Sequence, residues 1–278
     1  VISVAGVVSL LHYPIKGCAG TSVRESVLTA AGLAHDRSFM VVDPEGVYRT
    51  QRGDPRLALV RPEIGDDGDL LTLRAPGMDA LPVEVDREGP RGSVDLFGVH
   101  YTGIDQGDPA AEWLTAVLGV PSRLVRVPPE HDRVTGGETP GTAGYADSSA
   151  VLVTSLPSLD LLHARLVEQG GEPVPMSRFR PNIVVGGWAE PHVEDRARQV
   201  AIGDVVLGYA KLAIRCAVTT VDQETGERAG PEPLRTLAGY RRASAGGVAF
   251  GARFAVVRPG KLSVGDQVLV DLWGGSDL

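Results

Sequence analysis

Cys216 is the residue of this chain best suited to chemistry. It follows the apolar, strand-like run Lys211-Leu212-Ala213-Ile214 and Arg215, and it precedes Ala217-Val218-Thr219-Thr220-Val221-Asp222. Ser177-Arg178-Phe179-Arg180-Pro181-Asn182 lies upstream and Gly230-Pro231-Glu232-Pro233-Leu234 downstream. The other cysteine, Cys18, is distant in sequence, and no Cys-x-x-Cys pair exists. The pattern is badly placed for a disulfide framework or a zinc cage. A lone thiol beside an arginine suits a single thiolate contact to a metal that brings its other ligands with it. Arg215 would favour the thiolate form. Cys18 reads as a small packed hydrophobe.

Other motifs carry less. Gly136 to Thr142 has the glycine spacing of a phosphate loop but lacks its lysine, so it reads as a flexible loop. Gly65 to Asp69 lacks the calcium-loop spacing and reads as a solvated hairpin turn. The six histidines show no His-Glu-x-x-His, and no Rossmann glycine fingerprint is present.

The elements that must hold Cys216 are mostly strands. In the first half, short apolar runs separated by turn residues predict strands at Val4–His12, Val27–Thr29, Phe39–Val42, Leu57–Val60, Leu70–Leu73, Leu81–Val85 and Val94–Leu96. Pro109–Leu118 predicts a helix with Asp108 as its N-cap. A Gly/Pro/charged loop near Pro128 to Gly144 separates the halves. In the second half the runs predict strands at Val151–Thr154, Ile183–Val185, Val200–Ile202, Val205–Leu212, Val218–Asp222, Phe254–Arg258 and Val268–Leu272. Ser155–Glu168 predicts a helix with Leu156, Leu159, Leu162, Leu166 and Val167 on one face, ended by Gly170-Gly171. Pro233–Arg242 predicts a short helix. Gly203-Asp204 and Gly265-Asp266 each predict a tight hairpin.

The 278 residues exceed one typical domain, and 43% hydrophobic with 22% charged residues is ordinary for a soluble globular protein. A formal charge of −8 argues against nucleic acid or an anionic membrane as partner. The apolar Val1–Leu11 run is too short to span a bilayer. Unpaired cysteines fit a reducing cytoplasm.

Several segments in order resemble one family. Tyr13-Pro14-Ile15-Lys16-Gly17-Cys18-Ala19-Gly20, Ala31-Gly32-Leu33 with His35-Asp36-Arg37-Ser38-Phe39, and Thr50-Gln51-Arg52 with Asp54-Pro55-Arg56 are similar to the MOSC N-terminal β-barrel domain. Phe179-Arg180-Pro181-Asn182 and Arg215-Cys216 with Thr219-Thr220-Val221-Asp222 resemble the MOSC domain. Together they resemble the amidoxime-reducing components and their bacterial relatives. The resemblance implies a mixed, β-rich α+β fold: an N-terminal β-barrel-like domain over 1–105, a helix and linker over 106–135, and a MOSC domain, a β-barrel with peripheral helices, over 136–274.

It also implies a molybdenum cofactor bound as a molybdopterin, and no pyridoxal phosphate. Cys216 would ligate the metal, and molybdenum bound to a pterin dithiolene is a metal of the kind this thiol suits. Lys16, Gly17, Arg37, Ser148, Ser149, Arg180, Asn182 and Arg215 would hold the pterin and its phosphate. Gly17 stands where relatives usually carry Ser, and Ala213 replaces a second cysteine. The residue types agree, because a phosphate needs fixed cationic forks and small donors. Arg37 and Arg180 could equally be surface ion pairs, and Asp147 a cap or turn residue.

Two functions follow from the resemblance. In one, the chain is an oxidoreductase that removes oxygen from N-hydroxylated substrates such as amidoximes and hydroxylamines, with Asp147 as proton donor or orienting acceptor. In the other, it carries cofactor or sulfur without turnover. With two cysteines the chain is expected to hold no iron–sulfur cluster and to lack the iron–sulfur domain of some bacterial relatives. A separate electron donor follows: a ferredoxin, a flavoprotein reductase or a cytochrome of the b5 type.

Overall fold

The computed structural model describes residues 4–278; Val1 to Ser3, the start of the apolar Val1–Leu11 run, lie outside the described residues. Among the described residues the fold is β-rich α+β, with three α-helices and the strands divided among sheets of eight, five, three, three and two. Among the described residues no sheet closes into a barrel, because the strands are shared out among several short sheets with open orders.

The eight-stranded sheet runs Val268–Trp273, Ala197–Ile202, Val205–Arg215, Val248–Arg258, Val151–Ser155, Ile183–Gly186, Gly6–His12, Thr21–Val23. Neighbours are antiparallel except Val151–Ser155 with Ile183–Gly186. Both of those strands are buried along their whole length, which is why each opens on three consecutive apolar residues. A parallel pair needs a crossover, and helix α2 (Leu156–Glu168) supplies it. Ser155 caps this helix by accepting from the Ser158 amide at 3.3 Å. Leu159, Leu162 and Leu166 are buried and pack in one cluster with Phe179, Leu237 and Phe250. Leu156 and Val167, expected on the same face, are exposed, since only the 159/162/166 spacing keeps one stripe.

The five-stranded sheet runs Arg91–Leu96, Val99–Asp105, Arg123–Arg126, Phe39–Val42, Ile15–Lys16. It shares a core with helix α1 (Asp108–Leu118), in which Phe39, Leu57, Trp113 and Leu114 are buried. The N-cap of α1 is Gly107, not Asp108; Asp108 sits inside the first turn, where its charge favours the helix N-terminus.

Other expectations are corrected. Leu57–Leu59 belongs to the 3-10 turn Pro55–Leu59, which Val60 caps, and Val218–Thr220 to the 3-10 turn Ala217–Thr220. In the second, the Thr219 and Thr220 hydroxyls donate to the carbonyls three residues back, offering the backbone an alternative to a ladder. The last helix, α3, is only Leu234–Ala238. Gly203-Asp204 does form the expected hairpin, with Ile202 opposite Val205. Gly265-Asp266 does not: Gly260–Ser263 pairs with Glu25–Thr29 while Val268–Trp273 pairs with Ala197–Ile202, so this turn hands the chain between sheets. The Gly136–Thr142 stretch is pinned rather than loose. The Glu138 and Thr139 amides donate to the Ala210 and Tyr209 carbonyls at 2.8 and 2.9 Å.

Candidate functional site

The ends of strands from both large sheets converge on one cleft of about 830 Å³, open mouth included. Lys16 ends the strand Ile15–Lys16. Arg37 lies just before Phe39–Val42, Arg180 and Asn182 just before Ile183–Gly186, and Asp147 and Ser149 just before Val151–Ser155. Arg215 ends Val205–Arg215 and Cys216 follows it. All of these line the cleft, as does Gly17. Of the residues singled out in the sequence, Ser148 alone does not line it. Its carbonyl instead accepts the Ser149 hydroxyl at 2.5 Å.

The cleft is cationic. Lys16, Arg37, Arg49, Arg52, Arg180, Arg215 and Arg253 line it, against the single carboxylate of Asp147. Arg37 is partly spent: its Nη1 donates to both Asp36 oxygens at 2.8 and 2.7 Å, and its Nη2 donates to the Arg180 carbonyl at 3.2 Å. The Arg37 and Arg180 guanidiniums both lie on the Tyr13 ring, 4.2 and 4.4 Å from its centroid. Both residues have positive φ, 46° and 56°, unusual for arginine and a sign that the backbone here is shaped for the site. The buried Arg180 Nη2 has no protein partner. Burial, then Arg253, pulls Arg215 down to about 10, and Arg215 remains a cation at neutral pH.

Asp147 pairs with Lys16 and reaches Arg253 at 3.5 Å. The enclosing cleft walls would push its carboxyl up; Lys16 and Arg253 outweigh that and hold it well below the usual carboxylate range. Its side chain is 57% accessible, facing the cleft, so the pair is partly screened and adds little stability. Asn182 is committed to the backbone: its Oδ1 accepts the Leu152 amide at 3.1 Å and its Nδ2 donates to the Leu11 carbonyl at 3.2 Å.

Cys216 is exposed, with its carbonyl held by the Thr219 amide and hydroxyl, both at 3.0 Å. The guanidinium that donates to its Sγ is that of Arg52, at 3.5 Å, whereas Arg215 donates to the Phe179 carbonyl at 2.6 Å. Arg52 was visible in the Thr50-Gln51-Arg52 motif but carried no assigned role. Arg253 was also missed; its signal is a charge inside the apolar run Val248–Val257. Cys18 is fully buried, and burial pushes its thiol up to about 12, so it is inert packing. Among the described residues no three His, Cys, Asp or Glu side chains gather to hold a metal, and no helix is long and apolar enough to cross a membrane.

Residues 4–121 match the MOSC N-terminal beta barrel domain, and residues 140–269 match the MOSC domain. Mitochondrial amidoxime-reducing component 1 of Mus musculus is 36% identical over 286 residues, covering 95% of this chain and 82% of the mouse protein. The human protein of the same name is 34% identical, again over 95% of this chain and 82% of its own length. The molybdenum cofactor sulfurase of Oryza sativa subsp. japonica is 30% identical over 84% of this chain but only 30% of its own length. The chain belongs to the family of two-domain MOSC proteins that contains the mitochondrial amidoxime-reducing components.

Proposed function

We propose that the cleft holds a molybdenum-bearing, phosphorylated pterin, that Cys216 ligates the metal, and that the protein is an oxidoreductase removing oxygen from N-hydroxylated substrates. The observation that carries this reading is the charge of the cleft. Seven cations face one carboxylate in a chain of net charge −8. Among them, the buried Arg180 nitrogen lacks a partner. A buried guanidinium with a free donor is costly unless an anion completes it, so the residues fit a phosphorylated group.

When bound, the cofactor would supply two-electron chemistry at the metal. The rest falls to this chain. Lys16, Arg37 and Arg180 would clamp the phosphate, with Ser149 and the Gly17 backbone beside them. Asn182 would act by fixing the strand ends that carry Arg180 and Leu152. Arg215 would add charge at the floor of the cleft. Asp147, kept ionised by Lys16 and Arg253, fits an orienting acceptor rather than a proton donor at neutral pH. The divisions at 1–105, 106–135 and 136–274 are part of this reading, with Lys16 and Arg37 contributed by the first and Cys216 by the last.

The electron donor is proposed to be a separate protein, the chain to work away from membranes and nucleic acids, and its compartment to be the reducing cytoplasm. The name of the rice relative favours a second reading, a carrier of cofactor or sulfur. Turnover separates the two. Molybdenum-loaded protein given dithionite and a viologen should reduce an amidoxime or a hydroxylamine. Stoichiometric molybdenum and pterin without any turnover would leave the carrier; neither metal nor pterin would remove the oxidoreductase and the cofactor carrier and leave only a sulfur carrier.

A further inference from the structure

Two glutamines, 172 residues apart in sequence, meet at the side of the cleft. Gln51 is 1% exposed and Gln223 9%. A buried side-chain amide carries two donor protons and an acceptor oxygen, and leaving any of them unpaired is unfavourable. Here every polar atom is used. Gln223 Nε2 donates to Gln51 Oε1 at 2.9 Å, and Gln51 Nε2 donates back to Gln223 Oε1 at 3.1 Å. The second proton of Gln51 Nε2 goes to the Gly17 carbonyl at 2.7 Å, and that of Gln223 Nε2 to the Val221 carbonyl at 3.0 Å. Gln223 Oε1 also accepts from Arg180 Nη1 at 3.4 Å. The two backbone carbonyls fix the direction of each amide, because a turned amide would set oxygen against oxygen.

These bonds join segments that are distant in the chain and adjacent at the cleft. Gly17 follows Lys16 and has φ 83°, so its turn depends on contacts outside itself to hold its carbonyl. The 3-10 turn Ala217–Thr220 runs between Cys216 and Val221. Gln51 precedes Arg52, whose guanidinium donates to Cys216 Sγ at 3.5 Å. Gln51 belongs to the segment matching the MOSC N-terminal beta barrel domain, and Gln223 to the segment matching the MOSC domain. A ligand in the cleft does not account for Gln223, which does not line it and commits all its polar atoms to protein partners. Apolar side chains could fill the same space, but only directional bonds satisfied in one arrangement select one register.

We infer that Gln51 and Gln223 form a latch between the two matched segments and are positioning residues for the cleft: they hold the Lys16-Gly17 turn, the Cys216–Val221 turn and the Arg180 guanidinium in one register. With Nη1 tied to Gln223, Arg180 is left with the buried Nη2 that has no protein partner. The latch goes beyond the function proposed above, because it concerns how the two sides of the cleft are set rather than what they hold. It rests on that reading only where Arg180 is taken to meet an anion.

Methionine matches glutamine in length and lacks its polar end, so Gln51→Met, Gln223→Met and the double variant test the latch in the full chain, made in a host that produces no pterin. Each single substitution strands the partner amide and should lower the melting temperature by on the order of 5 °C. The double variant strands neither amide and should melt well above the sum of the two losses. Strictly additive losses would overturn the latch. Hydrogen exchange read by mass spectrometry gives the second measure. Gln51→Met should speed exchange over residues 217–223 by roughly threefold or more, and Gln223→Met should do the same over residues 16–20. Faster exchange confined to each variant's own segment would also overturn the latch. The positioning role is read in the double variant, whose stability is largely recovered. Calorimetry should show inorganic phosphate binding it roughly three- to tenfold more weakly than the natural chain, as the loss of one orienting hydrogen bond predicts. Equal affinity would leave the pair a contact of the fold alone and overturn the positioning. If the natural chain bound no phosphate, the phosphorylated-pterin reading would fall, while exchange across the two segments still decided the latch.

Discussion

At the scale of single residues, the two cysteines make opposite predictions. Cys216 is exposed at the cationic cleft, whereas Cys18 is sealed in the core of the five-stranded sheet. Cys216→Ala should lose molybdenum on gel filtration and lose turnover. Cys18→Ala should keep both and lose only packing, about 1 kcal/mol for a small buried side chain, read as a modest drop in urea midpoint. Molybdenum retained at one per chain in Cys216→Ala would remove the ligand assignment. Arg180 gives a second prediction. Its buried Nη2 has no protein partner, and under the proposed reading it meets the phosphate; breaking such a buried charge-assisted contact costs on the order of 2–5 kcal/mol. Arg180→Ala should therefore purify folded but poor in pterin, as released pterin fluorescence would measure. Normal pterin content would make Arg180 a structural cation. These residues were legible because their types are rare in apolar surroundings. Arg52 was not. Nothing in Thr50-Gln51-Arg52 says that the chain folds back to bring residue 52 against residue 216, since that contact depends on the long-range pairing of the sheets.

At the scale of elements, most strands and α2 were legible from apolar runs bounded by turn residues, and the errors have physical causes. Short apolar runs are ambiguous between strand and 3-10 turn until their side-chain hydrogen bonds are known, as at Ala217–Thr220. Sheet membership was hidden altogether. Gly6–His12 reads as the start of a first unit but pairs with Ile183–Gly186. A buried cluster behind α2 was also invisible. Glu194 accepts from the Ser155 and Ser158 hydroxyls at 3.0 and 2.8 Å, tying the start of the helix to the 3-10 turn Val193–Asp195. Burial, then Asp195, pushes Glu194 up to about 7. Burial, then Arg241 and Arg165, pulls the adjacent His192 down to about 3.

The two shifts oppose each other. A raised carboxyl gives stability that is complete below its ordinary value of 4.5 and is lost as pH rises through 7. A depressed imidazole gives stability that is complete above 6.5 and is lost as pH falls through 3. Between pH 4.5 and 6.5 the folded chain gains a proton on Glu194 where the unfolded chain gains one on His192, and the two slopes cancel. Glu194→Gln keeps the serine bonds but removes one side of that balance. Its stability should fall on acidification by about 1.4 kcal/mol per pH unit more than that of the natural chain. Any slope contributed by His12 or His131 is common to both proteins, and Asp195 faces an uncharged neighbour in both while Glu194 holds its proton. Urea midpoints at pH 4.5, 5.5 and 6.5 check this, and parallel profiles would contradict it.

At the scale of the whole molecule, charge is sorted rather than spread. The chain is acidic overall, yet the cleft collects seven cations from segments between Lys16 and Arg253. That separation lets one molecule hold an anionic group while its outer surface stays negative. The proposed reaction also needs a source of electrons. Two cysteines cannot build a four-cysteine cluster, and no Rossmann glycine fingerprint offers a nicotinamide site. Under the proposed reading each turnover needs two electrons, and the proposed separate donor would deliver them through an encounter of the kind that is usually small and transient. Mixed with NADH or NADPH and an N-hydroxylated substrate alone, the molybdenum-loaded chain should be silent. Adding a reductase system, or dithionite with a viologen, should start turnover. Raising the ionic strength should slow the protein-driven rate and leave the dithionite rate nearly unchanged, because salt screens the meeting of two charged surfaces but not the chemistry inside the cleft. Sustained turnover with the nicotinamide alone would overturn the separate donor. Equal salt sensitivity in both assays would place the charge effect at the cleft rather than at the encounter.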